Sequence, residues 1–179
     1  MWKYSVSALA WHLSCTTKLI MRGTPDPEVK VLSISPTESD AVALRRILSH
    51  TAWSLEEART LAEALGKLAE NPAPVILCNY RLADGSWRDV LAETSKLPHR
   101  PQLIVASPLP EDKLWMEVLD SGAYDLVVKP FKADDVFRII SLAWLHWKQQ
   151  RKQRARPAHA TEIREGRGQP AFTTHTAHH

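Results

Sequence analysis

The sequence predicts an α/β protein built on an open, doubly wound parallel sheet, and three observations carry that expectation. Near-continuous Val/Ile/Leu runs occur at "VKVLSIS" (29–35), "PVILC" (74–78), "QLIVAS" (102–107) and "YDLVV" (124–128). Such runs suit strands buried on both faces, as in a parallel sheet. Segments with helical apolar spacing lie between them, and strands alternating with helices at this rhythm build right-handed βαβ units.

In chain order, the helical patterns are marked by Leu44, Ile47 and Leu48, then by Leu61, Ala64, Leu65 and Leu68. Trp87, Val90 and Leu91 mark a third, and Leu114, Trp115, Val118 and Leu119 a fourth. The last places Val136, Ile139, Ile140, Ala143 and Trp147 on one stripe. One stretch resists. By periodicity "SLEEARTLAEALGKLAE" (54–70) reads as a single helix, and Glu and Ala are poor strand formers. A five-stranded sheet would need its first residues, around Trp53 to Glu57, as the second strand.

The chain has 179 residues, enough for one domain with a full core and extra at both ends. Hydrophobic content of 44% and charged content of 24% are ordinary for a soluble globular protein. The cysteines, Cys15 and Cys78, form no CxxC or Cys/His zinc spacing, and Cys78 reads as a small core residue. A reducing cytoplasm fits. No stretch approaches the roughly 20 apolar residues of a membrane span. The opening "MWKYSVSALAWHLSC" makes a poor signal peptide, because His12 interrupts its apolar run and Ala8 to Ala10 comes too early for cleavage. Translation starting at Met21 is an alternative.

Charge is unevenly spread. The formal net charge is +3, but residues 148–179 carry seven basic and two acidic side chains, leaving the middle of the chain acidic. The high isoelectric point therefore belongs to the tail and does not mark the body as a nucleic-acid binder. The expected division is an N-terminal extension over 1–27, expected to be disordered or to reflect a later start, a folded domain over 28–150, and a basic disordered tail over 151–179.

From about Glu28 to Gln150 the chain resembles a response-regulator receiver domain, the module that takes a phosphoryl group from a histidine kinase. "VKVLSIS" with "ESDAVALRRIL" resembles the first strand and helix. "EARTLAEALGKLAENPAPVILCNYRLADG" resembles the end of the second strand, the second helix and the third strand, and argues for a break near Arg59. "GAYDLVVKPF" resembles the last strand and its Lys-Pro turn. The resemblance implies a (βα)5 flavodoxin-like fold with five strands, and a cis peptide before Pro130.

It also implies a site at the carboxyl ends of the strands, where open α/β sheets bind ligands. The family's adjacent Mg²⁺-holding acids fall on Ser35 and Pro36, and its acceptor aspartate falls on Asn79. The hydroxyl position falls on Ala106, with Ser107 one residue later. Of the expected groups, Lys129 alone is kept, followed by Pro130. The aromatic switch position is occupied by Leu126. An amide cannot become an acyl phosphate, and it offers a metal one neutral oxygen. Mg²⁺ binding is therefore expected to be lost or weak, and no other cofactor or metal is expected.

Each neighbouring group also has a plain structural reading. Glu38 and Asp40 suit the positive start of the first helix, Asp84-Gly85 suits a turn, and Lys129 suits a loop-holding bond to Asn79. Trp115, Phe137, Trp144 and Trp147 are candidates for an interface on the fourth-helix, fifth-strand, fifth-helix face, although core packing explains aromatic burial equally simply. The expected function is a stand-alone, non-enzymatic atypical receiver that acts by phosphorylation-independent protein contact in the cytoplasm. Its partner would be a histidine kinase, an output protein or a second copy. Alternatives are a working acceptor on a non-standard residue, or a nucleic-acid-associated regulator using the tail; membrane attachment is not expected.

Overall fold

The computed structural model describes residues 29–109 and 111–155. Ten elements alternate along it: β1 (Lys30–Ile34), α1 (Glu38–Leu48), β2 (Ser54–Ala58), α2 (Leu61–Glu70), β3 (Val75–Asn79), α3 (Trp87–Ser95), β4 (Gln102–Ser107), α4 (Asp112–Asp120), β5 (Asp125–Val128) and α5 (Ala133–Arg154). The strands form one parallel sheet in the order β2-β1-β3-β4-β5. This is the (βα)5, flavodoxin-like arrangement.

Both sheet faces are covered, which explains the unbroken apolar strands. On one face Leu32, Ile34, Ile76, Cys78, Leu103 and Val105 pack beneath α2, α3 and α4, with Trp87 fully buried among them. On the other, Val31, Val75, Leu77 and Ile104 meet Leu44 and Leu48 of α1 and Val136, Ile139, Ile140 and Ala143 of α5. Cys78 lies in the first of these cores, and burial pushes its thiol pKa up to about 12.

The ambiguous stretch divides as the five-stranded expectation requires. β2 is an edge strand, paired in parallel with β1 from Lys30↔Ser54 to Ile34↔Ala58. Its residues alternate between faces: Leu55 packs with the α1/α5 core, and Ala58 belongs to the α2/α3/α4 core. The glutamates each find a cation from a helix, Glu57 pairing with Arg45 of α1 at 2.8 Å and Glu56 with Lys67 of α2 at 3.8 Å. Pairing and paired charge outweigh the helix preference of Glu and Ala.

The helix then restarts at Thr60, whose hydroxyl accepts from Glu63 N. Asp84, from the loop after β3, accepts from Leu61 N at 2.8 Å and Ala62 N at 3.0 Å. The orphan donors at the start of α2 are thus satisfied by two separate segments. At the end of α4, Gly122 adopts φ 88°, and Ala123 N donates back to Val118 O at 3.1 Å. That left-handed turn suits glycine and delivers the chain into β5.

α5 runs to Arg154, past the boundary expected at 150. The expected N-terminal extension and most of the basic tail lie outside the described residues.

Candidate functional site

Parallel register brings the strand ends level. Ile34 sits beside Cys78, Asn79 beside Ala106, and Ser107 beside Val128. Ser35, Asn79, Ser107 and Lys129 therefore gather at one edge of the sheet, each the last residue of its strand or the first beyond it.

Lys129 organises this edge. Its ammonium donates to Asn79 Oδ1 at 2.7 Å and also contacts Asp40 Oδ2. Ser35 Oγ donates to the same Asp40 oxygen at 2.6 Å and accepts from Thr37 N at 3.2 Å. The Asn79 amide is used at both ends, its Nδ2 donating to Arg81 O at 2.8 Å. Lys129 N donates to Ser107 O at 2.8 Å, tying the loop to β4, and the Lys129–Pro130 bond is cis. The side chains of Lys129 and Asp40 are 14% and 10% exposed, so the ion pair is largely withdrawn from water. The cluster is internally neutral, with one ammonium facing one carboxylate.

Position on the helix is only part of the role of Asp40. Both acids do lie in the first turn of α1, as expected. Glu38 turns outward to Arg45 (2.6 Å) and Arg59 (2.5 Å), whereas Asp40 turns inward and supplies the site's one carboxylate contact to Lys129. The sequence reading weighed Asp40 mainly as a helix-start acid and missed this pairing. Its spacing offered a signal, because Asp40 falls in the first turn of a helix that starts just beyond a strand end. Asp84 stays away from the cluster as the acceptor at the start of α2, and the Leu61 and Ala62 amides hold its carboxyl below the usual carboxylate range.

The remaining expected positions are placed as follows. Pro36 is exposed, and Ala106 is buried beside Asn79, its carbonyl accepting from Tyr80 N. Ser107 is 1% exposed and its Oγ accepts from Leu109 N at 3.2 Å. Leu126 is half-buried against the core that holds Trp87.

The four aromatic interface candidates separate. Trp115 on α4 is exposed, and its Nε1 donates to Asp125 Oδ1 of β5 at 2.8 Å. Phe137 instead meets Trp53 edge-on with centroids 5.9 Å apart, and Trp144 packs on the same α1/α5 core beneath Lys148. Trp147 lies against Arg151, beside Pro98 and His99. Around Trp115 the sequence reading missed the exposed apolar neighbours, having placed Leu119 on the apolar stripe of its helix and Val128 in a buried strand run. Met116 and Leu119 of α4, Val128 of β5, and Leu142 and Leu145 of α5 are each 39–62% exposed. For Met116, Leu142 and Leu145, apolar residues off the core-facing stripe of a helix are the signal that finds them.

The response regulator receiver domain model matches residues 21–141. The chain belongs to the response regulator receiver domain family. Receiver domains work in two-component signalling, where they interact with kinases and output domains, and they are generally non-enzymatic. Chemotaxis protein CheY of Bacillus subtilis (strain 168) is 25% identical over 85 residues, covering 48% of this chain and 71% of that protein. Transcriptional regulatory protein ZraR of Klebsiella oxytoca is 28% identical over 120 residues, covering 66% of this chain and only 27% of that longer protein. Among solved structures, the beryllofluoride-activated NtrC4 receiver domain dimer is 25% identical with a TM-score of 0.60, covering 66% of this chain and 98% of that one. No helix among the described residues is long and apolar enough to cross a membrane.

Proposed function

We propose that this receiver domain is atypical and signals through protein contact without taking up a phosphoryl group. The observation that carries the reading is the pairing of Asp40 with Lys129. A phosphoryl group arriving at this edge needs a nucleophilic carboxylate to accept it and a cation to pair its charge. Lys129 is already held by Asp40 and by the Asn79 oxygen, and Asn79, at the acceptor position, is an amide whose nitrogen donates to Arg81 O. The one inward carboxylate is bonded to Ser35 and to Lys129.

The residues present do not fit Mg²⁺. The cation prefers several oxygen ligands and carboxylate charge, while Ser35 and Pro36 hold the positions of the family's acid pair, and Asp40 is neutralised by the ammonium. Signalling by contact would take place in the cytoplasm, with a kinase, an output protein or a second copy as partner. The exposed Trp115, Met116, Leu142 and Leu145 on α4 and α5 support that face as the docking surface, because Trp is favoured among residues that dominate binding.

The test is a ¹H–¹⁵N amide spectrum recorded before and after Mg²⁺ and acetyl phosphate. The expected result is unchanged resonances for Asn79, Ala106 and Lys129. Saturable movement of those three would overturn the proposal.

A further inference from the structure

The edge of the sheet opposite the Lys129 cluster carries a second recess. It lies between the segment entering β4 and the last three turns of α5, and it has two lobes that share Arg100, Gln150 and Arg154. The first, about 240 Å³, is bounded by Pro98, His99, Trp147 and Arg151. The second, about 290 Å³, is bounded by Gln102, Tyr124 and His146.

Chemically the lobes differ. No aspartate or glutamate among the described residues lines either one. Among the described residues no carboxylate lies within ion-pair distance of Arg100, Arg151 or Arg154; Arg46 and Arg81 also have none, whereas Arg45, Arg59, Arg88 and Arg138 each have an acidic partner. Arg100 is held in place by a 3.2 Å bond to Gly122 O, which leaves other guanidinium donors unused, and Arg151 stacks on Trp147 at 4.8 Å. The favourable placement of cations at a helix C-terminus accounts for Arg151 and Arg154. It does not account for His99 and Arg100, which come from a different segment and meet them across the recess. The second lobe is a chain of hydrogen-bonding edges: His146 Nδ1 lies 3.2 Å from Gln102 Oε1, and Gln150 lies 3.3 Å from His146 Nε2. The His146 ring also lies against Tyr124, tilted by 41° with centroids 5.5 Å apart.

We infer that this recess binds a phosphate-bearing small molecule of nucleotide type. Its phosphates lie among Arg100, Arg151 and Arg154, where guanidinium groups favour such oxygens. Its polar ring lies along Gln102 and Gln150, whose amides each keep a spare N–H and a spare lone pair beyond their bonds to His146 and to each other. The site is on the far edge from the Lys129 cluster and is independent of whether that cluster accepts a phosphoryl group.

The experiment uses the full chain labelled with ¹⁵N and follows the Trp147 indole N–H, assigned with Trp147→Phe, during titration with ADP, with inorganic phosphate and with a single-stranded oligonucleotide. ADP is expected to shift that resonance saturably with a Kd of about 1 mM or tighter, and phosphate to act at the same resonance but more weakly. Arg154→Glu, on the exposed end of the helix, and Gln150→Ala should each weaken ADP roughly tenfold while leaving the amide resonances of the sheet in place. No saturable shift with ADP overturns the inference. So does a response that Arg154→Glu leaves unchanged, phosphate binding as tightly as ADP, or an oligonucleotide that binds in preference to ADP.

Discussion

At the scale of single residues, the cluster at the strand ends is defined by what one ammonium touches. Lys129 is shared between the Asp40 carboxylate and the Asn79 amide oxygen. A largely buried ion pair contributes little net stability, but removing one member leaves an uncompensated charge. Lys129→Met is therefore expected to lower stability by about 3 kcal/mol, and the double variant Lys129→Met with Asp40→Asn to recover most of that loss. Urea unfolding of the two single variants and the double variant measures the coupling. Additive losses would mean that the pair is not the unit holding this edge. The resemblance to receiver domains made Lys129 and Asn79 legible, because the end of "PVILCN" and the Lys-Pro after "YDLVV" fall at that family's positions. The sequence hid Asp40, because an acid in the first turn of a helix already has an ordinary reason to be there. Only the packing of α1 against the sheet turns that side chain inward.

At the scale of elements, the boundary between β2 and α2 shows where local propensity stops deciding. Residues 54–70 carry one continuous helical period, yet the chain breaks after Ala58 because β1 offers a partner and Arg45 and Lys67 neutralise the glutamates. The restart depends on Asp84, a residue 23 positions from Leu61 whose contribution no local pattern contains. Its carboxyl titrates below the usual range because the Leu61 and Ala62 amides favour the charged form. A depressed carboxylate adds stability that is present above its unfolded-state pKa and lost as pH falls through its folded-state value. Asp84→Asn should therefore lower the urea midpoint at pH 7, and the difference from the native chain should shrink as pH falls below the free aspartate value of about 3.9. A pH-independent difference would mean that the carboxylate charge is not what holds the start of α2. The strands and the other helices were readable for a simpler reason. Burial on both faces writes apolar runs into the strands, and single-sided burial writes a stripe into each helix.

At the scale of the whole molecule, the fold separates three surfaces: the neutral Lys129 edge, the cationic recess at the opposite edge, and the exposed apolar residues of α4, β5 and α5. Charge bookkeeping anticipated the second in part, since the basic excess lies toward the C-terminus. The aromatic pattern anticipated the third only through Trp115, because Trp and Phe on one helix look alike in sequence whether they face a core or a partner. Introducing Leu145→Glu, on the exposed side of α5, should leave the circular dichroism and unfolding midpoint nearly unchanged and reduce self-association or partner capture at least tenfold. Sedimentation velocity reads the first effect and a binding titration with the cognate partner the second. Unchanged association in both would remove this face from consideration.

The most direct measurement is the intact mass of the native chain after incubation with Mg²⁺ and a small-molecule phosphodonor, run beside Asn79→Asp and the double variant Asn79→Asp with Asp40→Asn. The native chain is expected to gain no phosphoryl mass, and Asn79→Asp to gain little while Asp40 still holds Lys129. A stoichiometric phosphoryl adduct on the native chain, mapped to Ser107, Asp84 or any residue at the Lys129 edge, would contradict signalling without phosphoryl uptake.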